Sequence, residues 1–235
     1  MTGTVINVVA VIIGSLLGMF FGERLPDKLK QTVVNGMGLF TGAIGLKMFF
    51  STNEALIVLG ALLIGAILGE WLQIEDRIAA LGAWLEKRFG GGTGDDTSSR
   101  FVRGFLAASL LYCTGPMAIL GSIQDGLVGN YELLAIKSVL DGFISIAFAS
   151  TLGIGVMFSI LPVFAYQGSI SLAAGWLNSV LTDAMITEMT ATGGVILFGL
   201  ALSSLLEIKK IRVGNYLPAL VVAPIIVYVM SLFPK

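Results

Sequence analysis

Apolar runs long enough to cross a bilayer recur from one end of this chain to the other, and few folds can accommodate them. A helix rises ~1.5 Å per residue, so about 20 apolar residues span a hydrocarbon core ~30 Å thick. Eight stretches meet or approach that length: 3–21, 32–50, 54–72, 103–121, 133–157, 166–182, 191–207 and 213–233. Charged residues make up only 12% of the chain, and 56% is hydrophobic. A soluble domain carries about 25% charged residues, so too few remain here to cover a water-facing surface. Outer-membrane strands alternate in polarity; these runs are continuous, which argues against a barrel. The expected fold is all-α: a polytopic helical membrane protein with about eight transmembrane spans. The count falls to seven if 166–182, where only GSISLAAGWLNSVL is apolar, is re-entrant or tilted.

Lysine and arginine favour cytoplasmic loops. With eight spans and the N-terminus outside, Arg24, Lys28, Lys30, Arg77, Lys87, Arg88, Arg100, Arg103, Lys209, Lys210 and Arg212 all fall inside, eleven of the fourteen basic residues. Deleting the sixth span moves the 209–212 cluster outside and degrades the split. The opening MTGTVINVVAVIIGSLLGMFF has no basic residue ahead of its apolar run and no A-x-A-like cleavage site, so it reads as a retained first span.

Between the third and fourth spans, Ile74, Ile78, Leu81, Leu85 and Phe89 recur at helical spacing with charges opposite. That pattern predicts an amphipathic helix along the cytoplasmic interface. GGGTGDDTSSR at 90–100 follows as a flexible polar linker. It divides one membrane domain into a three-span unit with its interfacial helix, 1–89, and a five-span unit, 101–235. TVVNGM at 32–37 resembles SVLDGF at 138–143. Both open long spans of opposite predicted direction, which is compatible with an inverted three-span repeat of the kind transporters use.

Small residues four apart let helix backbones approach closely in lipid. Gly14-x-x-x-Gly18-x-x-x-Gly22, Gly38-x-x-x-Gly42 and Gly65-x-x-x-Gly69 supply such faces. They suit packing within the chain or a homo-oligomer interface.

The candidate site residues lie where polarity interrupts the apolar runs. Lys137 and Asp141 are four apart, so they share a helix face and can pair. Asp141 would lie ~12 Å below a span start at Leu133. An intramembrane carboxylate costs ~3 kcal/mol on insertion scales and is a functional candidate by default. Its expected role is a proton or cation site, with Lys137 tuning its proton affinity, or an anchor for a charged substrate; the structural alternative is a pair that only pins the fold. Asn35 occupies the place of Asp141 in the proposed repeat and is expected to meet it. Gly115-Pro116 should break the fourth span and free carbonyls for a cation, or simply kink it. Gln124, Asp125 and Gly126 read as a turn at the outer mouth. Ser150 and Thr151 form a small polar patch, either an unwound segment lining the path or a packing surface with hydroxyls bonded back to the helix. Asp183 and Glu188 read as solvated loop charges, and Tyr166 and Gln167 as markers of a turn.

Other chemistries lack their residues. The chain has no histidine and one cysteine, Cys113, so no metal site, haem or cluster is expected. A P-loop, a dinucleotide fingerprint, H-E-x-x-H and G-x-S-x-G are all missing from the sequence. No catalytic residues, enzymatic activity or cofactors are expected. The net charge of −1 and the lack of a basic tail give no basis for nucleic-acid binding.

GTVINVVAVIIGSLLG, GERLP, CTGPMAILGSIQDGLVGN, KSVLDGFISIAFASTLGIGVMFS and IKKIRVGNYLPALVVAPI together resemble the YdfK/YqgA-like bacterial inner-membrane proteins, the domain-of-unknown-function-554 family. The resemblance covers essentially the whole chain. It implies a multi-span bacterial inner-membrane protein, sometimes described as a transport protein, and supplies no catalytic residues. The residues and the resemblance together lead to a small secondary transporter or ion-coupled permease, whose partners are the lipid bilayer and a small solute or ion. The alternative is a non-transporting scaffold or sensor that packs partner helices through its Gly-x-x-x-Gly faces.

Overall fold

The computed structural model describes residues 1–22, 26–89, 95–113 and 116–232, and every regular element among them is helical. The α-helices are α1 (Thr2–Gly22), α2 (Asp27–Phe49), α3 (Ala55–Trp71), α4 (Ile74–Phe89), α5 (Asp95–Cys113), α6 (Pro116–Val128), α7 (Glu132–Leu152), α8 (Gly155–Phe158), α9 (Ile160–Leu172), α10 (Ala174–Val180), α11 (Asp183–Leu200) and α12 (Ala219–Ser231). A π turn at Ala201–Leu205 extends α11, and a 3-10 turn at Val213–Tyr216 precedes α12. Four stretches are long and apolar enough to cross a membrane, and six if each of two bent helix pairs is one crossing. The chain is therefore an all-helical membrane protein. By this measure the crossings number four to six among the described residues. α2, which covers the expected second span but carries Asn35, Thr41 and Lys47, is not among them.

The helices group into two compact units. One comprises Met1–Met37 with Ala79–Ser179; the other comprises Gly38–Ile78 with Val180–Lys235. The grouping follows packing and interleaves chain segments, whereas the sequence division followed chain order.

In the first unit α1 and α7 run parallel along their lengths. Cβ atoms built on Gly14, Gly18 and Gly22 would collide with the carbonyl oxygens of Gly142, Ile146 and Ser150 in turn. The buried face of α1 is Thr4, Asn7, Val11, Gly14, Ser15, Gly18 and Gly22, while Val5, Val9, Ile13, Leu16, Phe20 and Phe21 are exposed. Small and polar residues face inward and large apolar ones outward. That is the reverse of a water-soluble helix and the arrangement expected in lipid, where outward apolar chains have nothing to gain from burial.

α5 and α6 meet at 61° and run against α7, with Gly104 beside Leu152 and Gly121 beside Leu134. The chain then reverses. Gly153 has φ +77°, a left-handed conformation that glycine tolerates without strain. Ser171 of α9 returns to donate to the Ser122 carbonyl at 2.9 Å. So Glu132–Leu172 is a hairpin of two legs and not one 41-residue rod. The return leg, α9 with α10, starts six residues before the expected sixth span.

In the second unit α2 and α11 are antiparallel, with Gly38 against Leu206 and Gly45 against Phe198. α3 and α12 are antiparallel as well, with Gly65 against Ala219 and Gly60 against Ile226. At one end Arg212 pairs with Glu70 (2.6 Å) and Asp76, while Glu75 accepts the Gly214 N–H at 2.6 Å. Glu188 corrects the sequence reading. Thr182 accepts the Met185 N–H at 3.3 Å and caps α11, so the expected loop is helix. Glu188 is only 3% exposed. Its carboxylate accepts from Thr52 Oγ1 at 2.5 Å and from the N–H groups of Asn53 (3.0 Å) and Glu54 (3.3 Å). Those groups lead into α3, where the helix dipole favours an anion.

The glycine faces are thus covered by helices of the same chain. Gly14→Ala should destabilise by ~1–3 kcal/mol, because its new methyl meets backbone that cannot yield without shifting α7. Gly36→Ala, with nothing within 4 Å of the added Cβ, should be neutral or stabilise α2 by ~0.5–1 kcal/mol. Thermal unfolding in detergent measures both. Equal midpoints for the two variants would show that the α1/α7 seam does not depend on its glycines.

Candidate functional site

The buried polar groups of the first unit centre on α7. Lys137 and Asp141 are each 5% exposed. The Lys137 ammonium pairs with Asp141 Oδ2 one turn along, as the spacing predicts. Asn7 Nδ2 of α1 donates to the same oxygen at 3.0 Å. Lys137 Nζ lies 5.7 Å from the centre of the Tyr112 ring on α5, within range of a cation–π attraction. The Tyr112 hydroxyl is 2.7 Å from Ser145 Oγ, one turn beyond Asp141. Three helices therefore hold one ion pair. Burying two ions costs several kcal/mol each, which their mutual attraction and added hydrogen bonds must offset.

Asp125 is also buried, at 4% exposed, and accepts the Gly3 N–H at 3.0 Å, with the Met1 ammonium 3.2 Å away. The expected turn at 124–126 is instead helix. α6 continues to Val128, and the turn residue is Gly129, with φ +69°. Gly126 serves close packing on α9, because a Cβ there would strike the Ser171 carbonyl. Gln124 sits on the exposed face of α6, apart from the cluster.

Of the remaining candidates, Asn35 is exposed and accepts from Gln31 Nε2 at 3.1 Å. It does not meet Asp141, whose amide partner is Asn7. Ser150 and Thr151 are buried at the end of α7, but their hydroxyls bond back to their own helix: Ser150 to the Ala147 carbonyl (2.8 Å), Thr151 to those of Ala147 (3.2 Å) and Phe148 (3.1 Å). They form a packing surface, with the break at Gly153 just beyond. Gly115 lies outside the described residues, and α6 begins at Pro116.

Sequence reading missed Asn7, Tyr112, Ser145 and Gln167. Asn7 had a signal: it is the one amide in the otherwise apolar first span. Gln167 is fully buried in α9, not at a turn. Thr4 Oγ1, Asn7 Oδ1, Ser122 Oγ and both amide atoms of Gln167 are buried without a hydrogen-bond partner among the described residues. Such atoms cost ~1–3 kcal/mol each, so together they rival the ~5–15 kcal/mol stability of an ordinary domain.

The ion pair generates a double-mutant test. Lys137→Met alone should cost ~3–5 kcal/mol, because it leaves a buried carboxylate unpaired. Lys137→Met combined with Asp141→Leu should recover most of that loss in detergent unfolding. Additive losses would mean that the two charges do not depend on each other.

The family described as "Protein of unknown function (DUF554)" matches residues 2–228. The "Uncharacterized membrane protein YdfK" of Bacillus subtilis (strain 168) is 32% identical over 237 residues, covering 99% of this chain and 98% of that protein. The "Uncharacterized protein YqgA" of Escherichia coli (strain K12) is 29% identical over 221 residues, covering 94% of each. No solved structure matches. With every helix but the last turn of α12 inside the matched region, this chain belongs to the DUF554 family of membrane proteins.

Proposed function

We propose that the protein is a small secondary transporter or ion-coupled permease of the bacterial inner membrane, with Asp141 as its coupling carboxylate. The observation that carries this reading is the buried Lys137–Asp141 pair on an apolar helix, joined by Asn7 from α1. Ionisable side chains are rare inside membrane helices and mark ion or substrate pathways when they occur. Binding of a proton or cation at Asp141 would release Lys137, giving the pair two arrangements that a transport cycle can alternate between.

The reading includes eight crossings with the N-terminus outside. Alternating directions through α1, α2, α3, α5–α6, α7, α9–α10, α11 and α12 make α1 parallel to α7, α2 antiparallel to α11 and α3 antiparallel to α12. Each of those pairs has that relation in the packing. The direction also keeps most lysines and arginines inside.

The test uses proteoliposomes, with entrapped pyranine reporting proton movement and radiolabelled sodium reporting sodium movement. The native protein should carry one of the two ions down an imposed gradient, and Asp141→Asn should reduce that flux at least tenfold while eluting as a folded species. If the single variant folds poorly, Lys137→Met/Asp141→Asn removes both charges and replaces it. Native-level flux in either folded variant would refute the role of Asp141.

A further inference from the structure

We propose that the outward side of the α1/α7 seam is a binding site for a single acyl chain of a bilayer phospholipid. Such a site goes beyond the transporter reading and requires no ion to move.

The packing of the seam makes the space. Gly14 and Gly142 have no side chains and Ala10 and Ser138 have small ones, so the seam is floored by little more than backbone there. Ile13 and Leu17 of α1 rise on one side of that floor, Val139 and Phe143 of α7 on the other. These four are between 43% and 69% exposed. Together they enclose an open furrow with a cavity volume of about 190 Å³. From Ser138 to Ile146 it follows α7 for ~12 Å, at ~1.5 Å per residue. An apolar cavity of ~150 Å³ takes up a benzene molecule, so this furrow has room for a hydrocarbon segment of at least that bulk.

Depth, chemistry and width select the occupant. Both helices belong to stretches long and apolar enough to cross a membrane. The furrow sits midway along each, at residues 10–17 of α1 and 138–146 of α7. At that depth acyl chains, and not headgroups, surround a protein. Exposed Leu16 and Leu140 continue the apolar surface on either side, so the furrow is part of the face that the bilayer covers. Ser138 is the one polar side chain in its lining, and its hydroxyl already donates to the Leu134 carbonyl at 2.6 Å. What remains is hydrocarbon, which suits neither water nor an ion. A second helix is at least ~10 Å across and approaches closely only over small residues. Here the small residues lie at the bottom, and the walls of Ile13, Leu17, Val139 and Phe143 hold a helix away from them. A single acyl chain is thin enough to lie between those walls. Asn7 is one turn from Ala10, and Asp141 adjoins Gly142, so a seated chain braces the seam at the level of their 3.0 Å hydrogen bond.

Photolabelling in proteoliposomes tests the site. A phosphatidylglycerol with a diazirine midway along one acyl chain is included as a minor lipid, and mass spectrometry after irradiation and digestion counts the label on each residue. A seated chain meets protein on three sides, whereas a passing one meets it on one. Ile13, Leu17, Val139 and Phe143 should therefore take at least threefold more label per residue than Leu16 and Leu140. Those controls are 52% and 51% exposed at the same levels of the same helices, outside the furrow. Ala10→Leu, which fills the floor, should bring the furrow residues down to the control level. If Ala10→Leu misfolds, Val139→Phe crowds the furrow from an exposed wall and replaces it, read at the other three positions. Equal labelling of furrow and control residues in the native protein would mean ordinary lipid contact and overturn the site. Undiminished labelling in a folded, filled variant would overturn it too. An unlabelled furrow would do the same, and cross-links joining two copies through Phe143 would then give the furrow to a second copy of the chain. No flux is measured, so loss of the site and loss of the transporter reading are separate outcomes.

Discussion

The close approach of α1 and α7 is the constraint on which the site depends. Lipid tails are as apolar as leucine, so no hydrophobic force drives two membrane helices together, and packing and polar contacts must do it. Gly14, Gly18 and Gly22 allow the backbone of α1 to lie against the carbonyls of Gly142, Ile146 and Ser150. That contact fixes the register of the pair, and the register places Asn7 on Asp141. A seam spaced by larger side chains would move the amide out of reach of the carboxylate. The ion pair would then lose its third partner. Packing by the smallest residues and burial of the most polar ones are therefore two aspects of a single arrangement.

The same constraint explains which parts of the molecule were legible in the sequence. Apolar length located the helices, because crossing a bilayer leaves so few options for the backbone. The four-residue spacing of Lys137 and Asp141 gave their pairing, because an i, i+4 contact is decided within one helix. The partners of that pair come from elsewhere in the chain, and no local pattern names them. The six-residue likeness between 32–37 and 138–143 pointed to Asn35, yet Asn35 is exposed and bonds Gln31. Asn7 lies 134 positions from Asp141 and meets it only through the α1/α7 seam.

Glycine was the least reliable guide, because one residue type serves two physical needs. Gly126 beside an aspartate looks like a turn, but it is a helical contact against the Ser171 carbonyl. The turn falls at Gly129 and the reversal at Gly153, the positions with positive φ. Sequence alone does not separate a glycine chosen for missing bulk from one chosen for backbone freedom. Glu188 was misread in a related way. A polar stretch between apolar runs looks like loop, but the Thr182 cap starts a helix there and draws the carboxylate inward.

Two buried carboxylates, Glu188 in one unit and Asp141 in the other, are held in physically different ways. Glu188 is held by Thr52 and by two backbone N–H groups of the turn before α3. Backbone donors cannot leave without unfolding the turn, so the N–H groups of Asn53 and Glu54 hold the Glu188 carboxylate in one place. Among the described residues Asp141 is held by side chains, the ammonium of Lys137 and the amide of Asn7. Side chains change rotamer at far lower cost than a turn changes its backbone. If Asp141 took up a proton, Lys137 would be free to swing and Asn7 to turn its unpartnered Oδ1 toward the new O–H donor. A backbone cap has no second arrangement to move to, whereas a cluster of side chains has the rotamers to form one if the carboxylate is protonated. That difference in what holds each carboxylate, more than burial alone, is why the proposal above rests on position 141 and not on position 188.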